Sequence, residues 1–240
     1  MRFLVNNFKK YYEQQLIEAK MLNSNNAYKC IIELSKIVQD AGFNLYIIGG
    51  AVRDELLGLT PQDYDLTTDM PANDFLKLLD NGKIVERKDK TLVIGTFKGE
   101  EFETSCGLDI IQQLLQGDLT INSMAKNVLT NEIIDPTNGQ NDLNSKILRY
   151  TDYSLKEVNS GIGNLKMGRL LRFIAQYHWN IDRATIDAFK TCVKLKQKAH
   201  KPIWILKKVK EKIKQLPYKD AAVNFGLNSD IPKDVFRGIL

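Results

Sequence analysis

Cysteine and histidine are scarce in this chain. Three cysteines (Cys30, Cys106, Cys192) and two histidines (His178, His200) are spread over 240 residues. An odd, widely spaced set fits reduced thiols in a cytoplasmic setting better than a disulfide framework. With no Cys-x-x-Cys pair, a structural zinc site is not expected. No Ser/His or Cys/His set stands out for covalent catalysis. No apolar run reaches the roughly 20 residues that a membrane span needs, so no membrane partner is expected. Lys9, Lys10 and Glu13 fall where an export signal would carry its apolar core, so none is expected. Internal repeats and low-complexity tracts are also missing.

What remains is ordinary globular material, 43% hydrophobic and 26% charged, and long enough for one large domain or two small ones. The net charge of +5 is unevenly placed. From Arg183 to Lys219, about a dozen Lys and Arg face only Asp187 and Glu211, an asymmetry that attracts polyanions or makes a solvated helix face.

Periodicity predicts helices over 1–22 and 25–41; in the second, Ile31, Ile32, Leu34, Ile37 and Val38 recur at helical spacing before Ala41-Gly42. "LYIIGG" reads as a short buried strand, "AVRDELLG" as a helix and "DYDLTT" as a strand. "PANDFLKLLDN" reads as a helix with Pro71 near its first turn. "KTLVIGTFKGEEFETSC" reads as a hairpin turning at Lys98-Gly99-Glu100. "LDIIQQLLQ" and "DLTINSMAKNV" read as helices, and "NEIIDPTNG" ends in a turn. From about Gln140 every periodic segment reads as helix. The expected fold class is therefore α+β, a mixed sheet-and-helix head followed by an all-helical region. The expected divisions are an additional helix at 1–24, a head at 25–138 and a helical region at 139–240.

Two arrangements carry chemistry. Gly49-Gly50 stands where a strand hands over to a helix, a turn whose N–H groups can approach an anion, and Arg53 is one turn on. A plain strand-to-helix turn has the same signature. Asp63 and Asp65 are two apart, which on a strand puts both carboxylates on one face. Their repulsion calls for a cation between them, and Mg²⁺ held by carboxylates and substrate phosphates is the usual solution. A polar turn is the plain alternative. Glu101 and Glu103 alternate with Phe102, so Glu103 can complete a three-acid cluster if its strand lies beside "DYDLTT".

Together these residues resemble the head of the class II tRNA nucleotidyltransferase and bacterial poly(A) polymerase family, within the polymerase-β-like nucleotidyltransferases. The pattern is Gly-Gly-x-x-Arg-Asp, Asp-x-Asp, then a strand glutamate. "GDLTINSMAKN" (117–127), "DPTNGQNDLNSKILR" (135–149) and "RLLRFIAQYHWNID" (169–182) resemble later family segments in the same order. The resemblance implies an RNA 3′-terminal nucleotidyltransferase, CCA-adding or poly(A)-polymerase-like, that releases pyrophosphate. It implies that Asp63, Asp65 and Glu103 are catalytic and hold two Mg²⁺ ions, with Mn²⁺ as a possible replacement. It gives Gly49, Gly50, Arg53, Asp118, Asn122, Lys166, Arg169 and Arg172 to the nucleotide, ATP and/or CTP. It sets the basic tract, with Lys194, Lys196, Lys198, Lys207 and Lys208, along an RNA, a tRNA or tRNA-like molecule.

The chain departs from the family pattern in places. Gln116-Gly117 replaces an Arg-Arg pair. Ile162, Gly163 and Lys166 fall where the base-reading motif Glu-Asp-x-x-Arg is expected, and the C-terminal RNA-binding region is expected to be reduced. Two other readings stay open, a catalytically degenerate RNA-binding module and a nucleotidyltransferase with a non-RNA acceptor.

Overall fold

The computed structural model describes residues 26–87, 90–199, 211–231 and 236. The helix expected over 1–22, together with Lys207 and Lys208, lies outside them. The chain forms two compact units. Unit 1 holds 1–112 and 125–134; unit 2 holds 113–124 and 135–240. The second unit thus begins a few residues before the expected division and also claims an earlier segment.

Unit 1 is built on a seven-stranded sheet. Its strands are β1 (Leu45–Ile48), β2 (Asp65–Thr68), β3 (Asp80–Glu86), β4 (Thr91–Phe97), β5 (Glu100–Cys106), β6 (Ala125–Asn127) and β7 (Ile133–Ile134). Their order across the sheet is β3-β4-β5-β2-β1-β6-β7. All pairings are antiparallel except β2 with β5. The β4–β5 hairpin turns at Lys98 and Gly99, both at positive φ (52° and 85°). That geometry matches the natural twist of a two-residue hairpin, and Gly99 supplies it without strain.

Helix α1 (26–40) lays Ile31, Leu34 and Val38 into the core, all fully buried. Ile37, expected on that stripe, is 40% exposed, so the stripe is narrower than the apolar residues suggested. Central strand β2 buries Leu66, Thr67 and Thr68, as a strand flanked on both edges does. Lys126 on β6 donates to Glu55 Oε2 (2.6 Å) and the Tyr28 hydroxyl (3.0 Å). This ties β6 to α1 and to α2 (Gly50–Leu56). Burial pulls the Lys126 pKa down, but its two partners more than offset that and raise it.

Two segments differ from expectation. "DLTINSMAKNV" is a short 3-10 turn (Thr120–Asn122) followed by β6 rather than one helix, and β3 was not foreseen. The first lacks a continuous apolar stripe. The second starts on Asp80-Asn81-Gly82, which locally reads as a turn, and the helix expected over 71–81 stops early as α3 (Ala72–Leu76).

Unit 2 is mainly helical: α5 (Gly139–Asn144), α6 (Asp152–Asn159), α7 (Asn164–Tyr177), α8 (Arg183–Lys198) and α9 (Lys219–Leu227), following the short α4 (Ile110–Leu115) that crosses the division. A small parallel pair, β8 (Ile147–Leu148) with β9 (Asn180–Ile181), interrupts the expected all-helical run. Leu170, Leu171, Phe173, Phe189 and Val193 are fully buried in its core. Thr151 caps α6 by accepting the Ser154 N–H (3.2 Å), and Asp182 caps α8 through the Thr185 N–H (3.1 Å).

Candidate active site

Unit 1 assembles the glycine turn and the acids around the middle of its sheet. Ile48, the last residue of β1, is the register partner of Asp65, the first residue of β2. Gly49 follows at φ 71°, a left-handed conformation that costs glycine nothing, and its carbonyl accepts the Arg53 N–H (3.2 Å). On the other side of β2, Leu66 pairs with Thr104. Continuing that parallel register by one residue puts Glu103 beside Asp65. Asp65 therefore has the glycine turn on one flank and Glu103 on the other.

Asp63, Asp65 and Glu103 are all exposed. Asp63 precedes β2 instead of lying on it, so strand alternation does not by itself aim the two aspartates together. Among the described residues, no three His, Cys, Asp or Glu side chains gather closely enough to hold a metal ion. The three-acid cluster is thus not closed. Exposed carboxylates suit Mg²⁺ chemically, since this hard cation keeps waters and substrate phosphate oxygens among its ligands. Glu103 contacts Arg87 loosely, at 3.8 Å with both side chains half exposed, a pair that solvent screens heavily.

Arg53 is buried (7% exposed) and its guanidinium grips Asp54, from Nε at 2.9 Å and Nη2 at 2.7 Å. A Cβ on Gly50 would lie 3.6 Å from Arg53 Nη2, so the guanidinium sits directly against the glycine turn.

Unit 2 carries a second polar group. Lys166 on α7 reaches Ser154 Oγ (2.8 Å), Glu157 Oε2 (3.0 Å) and Asp118 Oδ1 (3.2 Å). Arg169 Nη1 pairs with Asp118 Oδ2. Arg172 lays its guanidinium over the Phe173 ring, 4.7 Å from the centroid. Asn122 ends the 3-10 turn and donates its N–H to the Leu119 carbonyl (2.9 Å).

The family model described as the poly(A) polymerase head domain matches residues 45–107 and 100–149. A CC-adding tRNA nucleotidyltransferase of Shouchella clausii is 35% identical over 147 residues, covering 61% of this chain and 38% of that protein. A CCA-adding enzyme of Francisella tularensis subsp. novicida is 34% identical over 175 residues, covering 65% and 46%. The Bacillus stearothermophilus CCA-adding enzyme in complex with CTP superposes with a TM-score of 0.72 at 22% identity, over 89% of this chain and 53% of that one. Over residues 45–149 the chain is thus similar to the poly(A) polymerase head domain, and more widely to CC-adding and CCA-adding tRNA nucleotidyltransferases. It spans less than half the length of these two curated relatives.

Two departures from that family's pattern have steric reasons. A Cβ on Gly117 would lie 2.0 Å from Ser123 Oγ and 3.1 Å from the Leu114 carbonyl. A Cβ on Gly163, where the base-reading aspartate is expected, would lie 2.4 Å from Val158 Cγ2 and 2.9 Å from Val158 Cα. Neither position has room for a side chain without displacing its neighbours.

The 135–149 segment that resembles the family's link is a structural knot. Asp135 accepts from the N–H groups of Gly139 (2.7 Å) and Gln140 (2.8 Å), closing the start of α5. Asp142, 3% exposed, accepts from Thr120 Oγ1 (2.7 Å) and Arg149 Nε (2.9 Å). Arg149 Nη1 also reaches Asp182 (2.6 Å).

Of the lysines expected along RNA, Lys194 and Lys198 are exposed on α8. Lys196 is not on that face. It is 5% exposed and donates to the Gly161 carbonyl (2.8 Å), because Lys196 lies on the same side of α8 as Cys192 and Phe189, which are buried. The residues that sequence reasoning missed are Ser154 and Glu157. Thr151 before a helix is a usable N-cap signal, but nothing local marks Ser154 or Glu157 as a lysine partner.

Proposed function

We propose that this chain is a template-independent RNA nucleotidyltransferase, transferring NMP from an NTP, ATP or CTP, to an RNA 3′-hydroxyl. The observation that carries the reading is the position of Asp65 in the sheet, flanked by the glycine turn and by Glu103. The turn at Gly49-Gly50 and the Arg53 guanidinium receive the triphosphate, with backbone N–H groups and fixed positive charge against its oxygens. Asp63 and Asp65 would hold the divalent cation, Mg²⁺ or Mn²⁺, which would supply acidification of the attacking hydroxyl and charge stabilisation at the leaving oxygen. Glu103, open to solvent beside Asp65, orients that hydroxyl and takes up its proton. A new 3′-O–P bond forms at the α-phosphorus as the α–β bridge breaks, and pyrophosphate leaves.

Asp118, Asn122 and Arg169 meet the sugar and phosphates of the nucleotide, while Lys194 and Lys198 neutralise RNA phosphates without reading sequence. A tRNA or tRNA-like acceptor, in the cytoplasm, fits the relatives named CCA-adding and CC-adding.

The test is incorporation of labelled ATP and CTP, with Mg²⁺, into RNAs ending just before CCA, at its first C, or at its final A. Extension of at least one RNA is expected. A folded protein that extends none, yet binds RNA in a salt-sensitive way, is instead a degenerate binding module. Label on a protein or small molecule would redirect the acceptor.

A further inference from the structure

The ammonium of Lys166 has three N–H bonds, and three oxygens of unit 2 surround it: Ser154 Oγ at 2.8 Å, Glu157 Oε2 at 3.0 Å and Asp118 Oδ1 at 3.2 Å. An ammonium has no further donor. The residue is 8% exposed, and its charge also sits 4.7 Å from the centroid of the Tyr153 ring. A cation this enclosed persists only when it is paired, and here both carboxylates and the hydroxyl are in place.

The partners are themselves held. Ser154 Oγ donates to the Gly117 carbonyl (2.9 Å), and the Thr151 hydroxyl donates to the same carbonyl (2.6 Å). The Thr151 N–H donates to the Asp118 carbonyl (3.2 Å). Lys166 therefore joins α7 to the capped start of α6 and to the 117–118 backbone, in one chain of charge-assisted bonds. The Asp118 carboxylate is held at both ends, Oδ1 by Lys166 and Oδ2 by Arg169. Arg169 is exposed over about half its side chain, whereas Lys166 is enclosed.

We propose that Lys166 is a positioning residue that aims the Asp118 carboxylate, and that it makes no contact with the nucleotide. The proposal rests on the reading that Asp118 meets the nucleotide. It explains how a lysine can stand where a base-reading guanidinium is expected: the side chain folds inward and spends its donors on the protein. Base choice then does not pass through position 166.

Two measurements test this. The first is reductive methylation of the nucleotide-free protein, mapped by mass spectrometry. Lys166 should stay unmodified under conditions that modify Lys194 and Lys198, and Asp118→Asn should make it reactive. A Lys166 that is modified in the free protein, or protected only when NTP is added, overturns the proposal. The second is NTP kinetics of Lys166→Met, Asp118→Asn and the double variant. Lys166→Met should raise KM about tenfold, equally for ATP and CTP, as the loss of one charge-assisted bond would. The double variant should be no worse than Asp118→Asn alone. A changed ATP-to-CTP preference, or additive losses, overturns it. Lys166→Arg and Ser154→Ala supply the same comparison if the methionine variant does not fold. A wild-type protein that incorporates no nucleotide removes the proposed function, while the methylation result still decides the clamp by itself.

Discussion

The two units use acidic side chains in opposite ways. In unit 1, Asp63, Asp65 and Glu103 stand at the surface around the middle of a sheet, and Glu103 makes a long, solvent-screened contact with Arg87. In unit 2, Asp118 and Asp142 are largely enclosed and each is tied to cations within the same unit. Exposed acids can take up metal and protons. An acid as enclosed and neutralised as Asp142 holds the chain in shape. The contrast shows why counting carboxylates does not locate an active site, whereas their burial and partners do.

Substitutions sharpen this comparison, and the largest effect is expected at the exposed acids of unit 1. Asp65→Ala should lower nucleotide incorporation at least about a thousandfold, by removing a metal ligand, while leaving thermal unfolding nearly unchanged. An unfolding midpoint that drops with activity would place Asp65 among the structural acids. Arg149→Ala should do the reverse. It strands the enclosed Asp142 carboxylate and should destabilise unit 2 by about 3 kcal/mol in urea unfolding. A loss below roughly 1 kcal/mol would show that Thr120 alone satisfies Asp142.

Thr151→Ala should cost about 1–2 kcal/mol, since it removes the α6 cap and the bond to the Gly117 carbonyl. Lys194→Glu with Lys198→Glu should weaken RNA binding several-fold and flatten its salt dependence, without touching stability; an unchanged salt slope would free α8 from the RNA path. Smallest is Arg87→Ala, within about 0.5 kcal/mol of wild type in unfolding, because both partners are screened. A separate check concerns the thiols. Burial pushes the Cys106 pKa up to about 12. It should therefore resist alkylation at pH 8 until the protein unfolds, and rapid labelling of the native state would show the β5 end to be open.

Much of unit 1 was legible before any coordinates. The β4–β5 hairpin followed from alternation on both sides of Lys98-Gly99. Glu103 beside the Asp-x-Asp strand followed from the order of elements that the family resemblance implied. The error at Asp63 was one of boundary: β2 begins two residues later than its apolar-polar pattern suggested. The burial of Lys166 and Lys196 was not legible: lysine reads as a surface residue, and partners far along the chain, Asp118 for one and Gly161 for the other, let it be enclosed.

By itself, then, the sequence determined most of the elements around the glycine turn, the β4–β5 hairpin, and which residue types stand at that turn and along β5. These depend on local spacing: two residues per repeat in a strand, 3.6 in a helix, and glycine where φ turns positive. Tertiary structure alone decided which charges are spent and which remain available. Whether a carboxylate or an ammonium faces water or another charge is set by contacts between distant segments, and no local pattern encodes them.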